Sequence, residues 1–576
     1  MKKWILLLLC LLLTTVLFSC GDHEIPPISE TTSETSESLT QTEISETTVM
    51  TETTSSATET TSVTETTASQ TETSSTEKTT ETTARNYVLY SDFGAKGDGK
   101  KDDFLPIFAA HAYANREGLP VKADEGAIYL IGPQSIGREI EIRTDTDWTG
   151  AKFIIDDSGI TVDKKKTYTK PIFRITSAKE SRTFKEIQSL KKTDTNIGFA
   201  PGEKCLAVIK DKSARVFIRS GVHSGKGDLK QEIVLLDENG NIDEATPLTW
   251  NYDEIASIVL YPLEETTLTV RGGEFHTIAD KAPAKHTYFH RNIIVNRSNT
   301  VLENITHTVE GETDAGGAPY HGFIYISQCM DVTVKNCAFT PHYMFTKIHA
   351  DGAATFGYDL HINTATDIRI IGCTQTISID DTNYWGVFTS NFARNLTLED
   401  CIFSRFDAHR GVYNVTIRNC TFGHQGILFV GFGLFTIEDT TVRASSFVQL
   451  REDYGATFDG KLVIRNGRFE PQAKLHSTSE LIRARNNCDH YYGYQCHFPT
   501  LEIDGLFIDD TNATSGYQGI YVLPSYTERT DRFALKSKTG YFPPESVTLR
   551  GITTASGKDY RICRIAYLFS DTEITE

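Results

Sequence analysis

Acidic and basic side chains that can move protons are concentrated between residues 380 and 410. Asp380 and Asp381 are adjacent, and Asp407, His409 and Arg410 follow shortly after. Clustered carboxylates push each other's pKa values apart, so one can act as an acid while its neighbour stays ionised. Hydrolysis of a glycosidic bond uses such a pair. These five residues are the predicted catalytic residues.

The same group of residues also fits a second chemistry. A β-elimination needs a base for the proton beside a uronate carboxylate and a cation that neutralises that carboxylate. His409 could be the base, and either Arg410 or a Ca²⁺ ion held by the aspartates could be the cation. The sequence predicts no required cofactor and no defined metal site, and leaves hydrolysis, elimination and epimerisation open.

Six further side chains are predicted to contact a substrate, because they combine rings that stack on sugars with groups that form hydrogen bonds. They are His321, Asp359, His361, Tyr384, Trp385 and His424. Structural alternatives remain open for several candidates. Asp380 and Asp381 could end a strand and begin a turn, Arg410 could pair with Asp407, and His424 could be a turn residue.

A repeat marked by four cysteines determines where these side chains lie. The segments DVTVKNCAF, DIRIIGCTQ, NLTLEDCIF and NVTIRNCTF alternate apolar and polar residues with period two, as half-buried strands do. Further copies without cysteine recur at intervals of roughly 20–45 residues, which indicates stacked coils. The aligned cysteines are Cys337, Cys373, Cys401 and Cys420.

Stacking in register makes two predictions about these coils. Asp380, Asp381 and Asp407 lie at similar distances after their cysteines, so their carboxylates are expected within about 5–10 Å of each other on one face. The aligned cysteines are expected to be buried, reduced core residues. A register of turn residues is expected to be structural, with stacked amides: Asn304, Asn336, Asp400, Asn419, Asp439 and Asn466. Cys488 and Cys496 could form a disulfide that closes a short loop.

The chain begins with an export signal at residues 1–20, where Lys2 and Lys3 precede an apolar run too short for a stable membrane span. The end of this run, Leu17–Cys20, resembles a bacterial lipobox, which implies a lipid anchor on Cys20 and a position at the cell surface. An ordinary signal peptide is the alternative.

Residues 21–85 are almost entirely Thr, Ser and Glu, and this composition predicts a disordered stalk. The stalk carries much of the formal net charge of −19. Because the chain is acidic, a nucleic-acid partner is not expected.

The segment YSDFGAKGDGKKDD is followed by a predicted helix at 104–116 and a strand at Ala127–Ile131. This arrangement resembles the opening of pectate-lyase-like right-handed β-helix proteins, which include rhamnogalacturonases, epimerases and phage tail spikes. The resemblance implies an all-β, single-stranded right-handed parallel β-helix with an N-terminal capping helix. Expected boundaries are 86–198 for the cap and first coils, 199–262 for a small β-rich insert, and 263–576 for the main β-helix.

The catalytic pattern is similar to that of polygalacturonases in two places. Asp380-Asp381 resembles their Asp-Asp pair, and Gly423-His424-Gln425-Gly426 resembles a loosened Gly-His-Gly, whereas their Asn-x-Asp and Arg-x-Lys are absent. The resemblance implies an extracellular enzyme that cleaves glycosidic bonds of a pectic or other acidic polysaccharide. A lyase or epimerase acting on uronate-containing glycans is one alternative, and a non-catalytic carbohydrate-binding or adhesive β-helix is another.

Overall fold

The computed structural model describes residues 85–160, 170–221, 225–282, 289–312, 320–344, 357–486, 490–525 and 541–576. The predictions for the signal segment, Cys20, the stalk up to residue 84 and the Cys488–Cys496 disulfide lie outside these residues. Residues Tyr87–Glu576 belong to one compact unit. In the described part of the chain, no helix combines the length and the hydropathy that a membrane span requires.

Within the described residues, twenty-nine strands form one continuous hydrogen-bonded sheet. Strands in successive coils pair in parallel, so each coil is hydrogen-bonded to the coil before it and the coil after it. The predicted parallel β-helix is therefore confirmed. Its coils have three faces, called here A, B and C, which the chain follows in that order.

Face A lies before the cysteine position of each coil. Its short strands are Val88–Leu89, Val121–Lys122, Thr146–Asp147, Leu268–Arg271, Thr300–Glu303, Met330–Lys335, Thr366–Ile371 and Glu573–Thr575.

Face B lies after the cysteine position. Its short strands are Asp98–Asp102, Ile128–Ile131, Lys152–Asp156, Glu274–Ile278, Thr306–Glu310, Ala338–Phe339, Thr374–Gln375 and Thr441–Val442.

Face C completes the coil. Its short strands are Ile140–Ile142, Phe173–Thr176, Ile293–Asn296, His321–Ser327, Tyr358–Asn363, Val448–Leu450 and Ile482–Arg483.

Six longer strands continue around the corners and contribute to two or three faces each. They are Phe388–Glu399, Ile402–Arg418, Thr421–Glu438, Phe458–Phe469, Thr500–Ile508 and Ser546–Thr554. A separate pair, Cys496–His497 with Tyr541–Phe542, lies outside the main sheet.

A 14-residue helix, Phe104–Glu117, covers the first coils at the position that the sequence predicts. Its buried side includes Phe104, Ile107 and Ala110. Asp102 Oδ1 accepts a hydrogen bond from the Phe104 amide at 3.1 Å, which satisfies one of the free N–H groups at the helix start. The helix thus shields an end of the stack that would otherwise expose strand edges.

Left-handed residues form the corner between faces A and B in coil after coil. The six predicted turn residues, from Asn304 to Asn466, all have φ between 48° and 58°. Glycine takes the same place in other coils, as at Gly372 and Gly505. Asn, Asp and Gly adopt this conformation at the lowest cost. Asn419 Nδ2 also donates to Asp400 Oδ1 at 2.6 Å, which joins two coils.

Alternating charges follow face A at the position just before this corner. Neighbouring residues pair in register, with Asp147 and Arg271 2.7 Å apart and Glu303 and Lys335 2.6 Å apart. The next coil has Ile371 at this position, and the opposite charges resume after it with Glu399, Arg418, Glu438 and Arg465, where Arg465 lies 2.8 Å from Glu438. Each exposed pair contributes little stability by itself, but a shift of register would break all of them together.

The insert forms an antiparallel four-stranded sheet with its own apolar core. Its strands are Arg182–Phe184, Cys205–Val216, Asp228–Leu236 and Ile255–Pro262. The strand Arg182–Phe184 pairs with Ile255–Pro262. The insert therefore begins before residue 199, where the sequence places its start.

The four aligned cysteines are buried and reduced. Hydrogen bonding between neighbouring thiols, together with burial, raises the pKa values of Cys373, Cys401 and Cys420. These side chains therefore fill the core as neutral thiols.

Thiol labelling tests the cysteine register. In native protein, an alkylating reagent should leave Cys337, Cys373, Cys401 and Cys420 unmodified, because burial keeps the reagent away from these thiols. Cys563 is partly exposed and should react before these four. Peptide mass spectrometry checks the order of labelling, with denatured protein as the positive control. Rapid native labelling of two or more of the four would show that the register is incorrect.

Candidate functional site

Several of the predicted substrate-binding and catalytic residues, among them His321, His361 and Asp407, lie on face C. In one column Tyr325 pairs with His361, and His361 pairs with Thr389. Ser390 pairs with Ala408, which places Asp407 next to Thr389 in the same column. Outward side chains of successive strands thus lie about 4.8 Å apart along the stack.

Aromatic rings and amides continue across this part of face C. His290 and His321 stack with their ring centroids 4.3 Å apart, and His361 meets the edge of Tyr325 at 4.8 Å. Asn363 Nδ2 donates to Tyr325 Oη at 2.7 Å. His290, His321 and Tyr325 are half-buried, so they combine a fixed geometry with contact to solvent.

Three further groups on this face hold the carboxylate of Asp407. Asp407 is 0% exposed and accepts hydrogen bonds from Tyr358 Oη at 2.6 Å, Arg405 at 2.8 Å and Arg451 at 2.8 Å. Burial raises the pKa of Asp407, but the two guanidinium groups outweigh burial and lower this pKa to about 2. Asp407 is therefore ionised at neutral pH and does not supply a proton.

The Asp407 contacts extend into a buried chain of charges. Arg451 also pairs with Asp453 at 2.7 Å, and Arg219 of the insert pairs with Asp453 at 3.0 Å. At the other end, Arg405 lies 3.8 Å above the ring centroid of Trp385. The chain connects the insert to the β-helix through alternating charges.

The sequence did not predict the three arginines of this charge network, Arg405, Arg451 and Arg219. Arg405 precedes Asp407 by two residues on one strand, and alternation alone would have placed both on one side. Arg451 lies in another coil and Arg219 lies in the insert, so no local pattern signals either of them.

His409 and Arg410 lie beneath the insert. His409 is 4% exposed and its Nε2 is 3.1 Å from Tyr454 Oη. Burial, followed by the positive charges of Arg451 and Arg410, lowers the pKa of His409 well below its ordinary value. His409 is therefore an uncharged imidazole at neutral pH. Arg410 pairs with Asp228 of the insert at 3.3 Å.

The register that was expected to join Asp380 and Asp381 to Asp407 is wrong. Thr389, and not Asp380, precedes Asp407 in the stack. The coil between Cys373 and Cys401 is longer than the next coil, and its additional residues form a loop at 376–387 that carries both aspartates out of the sheet. The number of residues that separates a side chain from the aligned cysteine therefore predicts its stacking position only when the coils have equal lengths.

The two aspartates of this loop have separate local partners. Asp380 lies 3.4 Å from Arg443, and Asp381 Oδ1 accepts hydrogen bonds from the backbone and side-chain amides of Asn383 at 3.0 and 2.9 Å. His424 Nδ1 lies 3.0 Å from the carbonyl oxygen of Ile379. These contacts shape the loop.

Trp385 and Tyr384, at the end of this loop, differ in accessibility. Trp385 is 2% exposed, and Arg405 occupies one side of its ring. Tyr384 is only partly buried and meets the edge of Tyr343 at 5.9 Å. Of the two rings that were predicted to contact a sugar, Tyr384 is the accessible one.

Asp359 belongs to a second buried network. Its carboxylate lies 2.7 Å from His307 Nδ1 and 3.2 Å from His342 Nε2, and His342 Nδ1 lies 2.6 Å from Glu312. Burial opposes the charge on His342, but Glu312 and Asp359 outweigh burial and raise the pKa of His342 to about 10. Burial also raises the pKa of Asp359, but the nearby imidazoles outweigh burial and hold this pKa well below its ordinary value.

The described residues contain no group of three or more His, Cys, Asp or Glu side chains arranged to hold a metal ion. Near Asp407, Arg405 and Arg451 provide the positive charges.

No protein-family model matches this sequence, and no curated protein matches it. The structure is similar to the tailspike gp61 of Pseudomonas phage phi297, with 14% identity, coverage of 82% of this chain and 81% of that chain, and a TM-score of 0.47. The Gp54 tailspike of Acinetobacter baumannii bacteriophage AP22, solved with a capsular saccharide, has 12% identity, coverage of 85% and 79%, and a TM-score of 0.47. The surface adhesin PfbA of Streptococcus pneumoniae has 10% identity, coverage of 82% and 94%, and a TM-score of 0.37.

Replacement of Asp407 by Asn should destabilise the fold. The change leaves Arg405 and Arg451 buried with a neutral partner, and breaking a buried ion pair costs about 3 kcal/mol. Thermal unfolding should show a clear decrease in Tm. Because the carboxylate has a lowered pKa, the stability it contributes is present above about pH 4 and is lost as the pH falls through about 2. Asp381→Asn is the control, since Asn can accept the same turn hydrogen bonds. Equal Tm values for the two variants would contradict the ion-pair assignment.

The charge of His342 should stabilise the protein in a specific pH range. A raised pKa means that this contribution is complete below about pH 6.5 and is lost as the pH rises through about 10. The Tm difference between the parent and His342→Gln should therefore shrink between about pH 6 and about pH 9.5. A difference that stays constant across this range would show that His342 is uncharged.

Proposed function

We propose that this protein recognises an extracellular polysaccharide along face C. The supporting observation is the group of half-buried rings His290, His321 and Tyr325 on neighbouring coils of this face. The buried His361 packs against Tyr325 and supports it from the next coil. Solvent-contacting rings that lie side by side along the stack suit a linear glycan chain.

The chemistry of these side chains suits sugars. Half-buried rings offer apolar surfaces for the C–H faces of pyranoses, and their polar edges remain available for hydrogen bonds. Asn363 and Asn391 each donate to a neighbouring ring, which fixes the orientation of Tyr325 and His361. Side chains that are fixed before binding lose less conformational entropy when the glycan binds.

Replacement of Tyr325 by Ala should weaken glycan binding. Loss of the ring removes one stacking surface, and we expect at least a tenfold increase in Kd, about 1.4 kcal/mol. Affinity electrophoresis against a panel of neutral and acidic polysaccharides identifies the glycan, and calorimetry measures Kd. Thr553→Ala, at an exposed position near the C-terminal end, is the control. The proposal fails if the parent binds no member of the panel, or if Tyr325→Ala binds like the parent.

Cleavage of the glycan is a second candidate function. The observation that favours it is the uncharged imidazole of His409 among the arginines 219, 405, 410 and 451. A neutral imidazole can accept the proton beside a uronate carboxylate, and guanidinium groups can neutralise that carboxylate. The electrons of the C5–H bond then form a C4=C5 double bond, the C4–O bond breaks, and the departing glycosidic oxygen takes a proton from water, which leaves an unsaturated uronate. The hydrolytic alternative requires a protonated carboxyl, which the ionised Asp407 does not provide.

His409 is buried, so a glycan can bind to the protein surface more easily than it can reach this base. Binding is therefore the first proposal and cleavage the second. The insert segment Phe217–Gly221 contacts the surroundings of His409, where Phe217 meets the ring of Tyr454 and the Ser220 amide donates to the Asp453 carbonyl. A glycan reaches His409 only if this segment moves aside.

A polysaccharide panel read in two ways tests cleavage. Elimination gives both new reducing ends and absorbance from unsaturated uronate, whereas hydrolysis gives reducing ends alone. For elimination we expect His409→Gln to lose at least ~100-fold in turnover, the usual effect of removing a general base. The parent should keep its rate from neutral pH to well below pH 6.5, because the base is already deprotonated there. If neither signal appears with a polysaccharide that the protein binds, cleavage is excluded for that substrate and binding alone remains.

A further inference from the structure

A second groove lies on the outer side of face A, separate from the site on face C. Its volume is about 500 Å³. The floor is built by the strands Thr366–Ile371, Phe388–Glu399 and Ile402–Arg418. None of the predicted catalytic or substrate-binding residues lines it.

The groove floor carries hydroxyl groups in register. Thr397 pairs with Thr416 in the next coil, and Arg369 occupies the same position in the preceding coil. Among the residues that the structure describes, the hydroxyl groups of Thr397 and Thr416 have no hydrogen-bond partner. Both are half-buried and open into the groove, so each can donate to and accept from a ligand.

Asn395 and Asn414 line one side of the groove, and a contact with the insert holds them in place. Asn414 Nδ2 donates to Asn395 Oδ1 at 3.2 Å, and Asn395 Nδ2 donates to the carbonyl oxygen of Ala245 in the insert at 3.1 Å. Arg394 Nη1 donates to the carbonyl oxygen of Pro247 at 2.7 Å, which fixes the same part of the insert. This side of the groove is held in place before any ligand binds.

The charges around the groove disfavour both anionic and cationic ligands. Asp331 and Asp367 line it, and burial, with Asp331 and Asp243 nearby, raises the pKa of Asp367. An anionic ligand would be repelled by these carboxylates. A cationic ligand would meet Arg369, which lies 3.3 Å from Asp331 and is more than half exposed.

At the far end of the groove, Leu434 offers an apolar surface. Its side chain is 45% exposed, although large apolar side chains are usually buried. Carboxylates, amides, hydroxyls and one guanidinium next to an apolar surface match a ring that has hydroxyls at its edge and C–H groups on its face.

We propose that this groove binds a neutral sugar unit of a glycan, as a second carbohydrate site independent of face C. The uncharged sugar accepts and donates hydrogen bonds with Thr397, Thr416 and the amides, and its apolar face rests on Leu434. Face C offers half-buried histidine and tyrosine rings instead of a floor of threonine hydroxyls, so the two faces would bind different parts of a polysaccharide or different polysaccharides.

Substitution of Thr416 by Trp tests this site, because the larger side chain points outward and fills the groove. The matched control is Thr548→Trp, which lies in the same column of face A but four coils further along. The probes are dextran, galactan, mannan and β-glucan, tested with the full chain by affinity electrophoresis and then by calorimetry. We expect at least one probe to bind, Thr416→Trp to raise its Kd at least tenfold, and Thr548→Trp to leave it unchanged.

Tyr325→Ala separates this proposal from the one for face C. Binding of the neutral probe should be unchanged in Tyr325→Ala, since that ring lies on another face. The second site is disproved if no neutral probe binds, or if Thr416→Trp binds like the parent. A loss in Tyr325→Ala, alone or together with Thr416→Trp, would place the neutral sugar on face C and would also disprove an independent site.

Discussion

The parallel hydrogen-bonded register between successive coils is the constraint on which the rest of the structure depends. Each residue of a strand lies about 4.8 Å from its counterpart in the next coil, so any favourable arrangement in one coil must be compatible with its copies above and below. Buried thiols stack on thiols, and Asn419 bonds Asp400 at the corner of the neighbouring coil. The sheet can then present outward side chains in straight columns.

The strands, the turns and the buried cysteines could be predicted from the sequence because each depends on a few adjacent residues. Alternation and a turn residue recur in successive coils, and a cysteine follows the turn in four of them; together they predict stacked coils and buried thiols. The capping helix follows from the segment YSDFGAKGDGKKDD and its resemblance to other β-helix proteins. The stacking positions of residues that follow a long loop could not be predicted. Asp380 and Asp381 leave the sheet in the loop at 376–387, and only the folded structure shows that Thr389 is the neighbour of Asp407.

The partners of Asp407 illustrate a further limit of sequence reasoning. Arg405 and Arg451 come from two different coils, and Arg219 of the insert joins the network through Asp453, so its contact depends on how the insert packs on the β-helix. The surroundings set the chemistry of each group: two guanidinium groups keep the buried Asp407 ionised, and burial, followed by the nearby arginines, keeps His409 uncharged near neutral pH. A sequence shows which groups can ionise, but the direction of a pKa shift depends on the surrounding three-dimensional structure.

The alternating charges along face A limit how the length of this β-helix can change during evolution. Arg418 lies between Glu399 and Glu438, and Glu438 in turn lies between Arg418 and Arg465. Deleting or duplicating a single coil here would bring two like charges face to face, which is unfavourable in neighbouring strands. Adding or removing two coils together restores every opposite pair. Gene duplications that lengthen this region should therefore be retained in units of two coils.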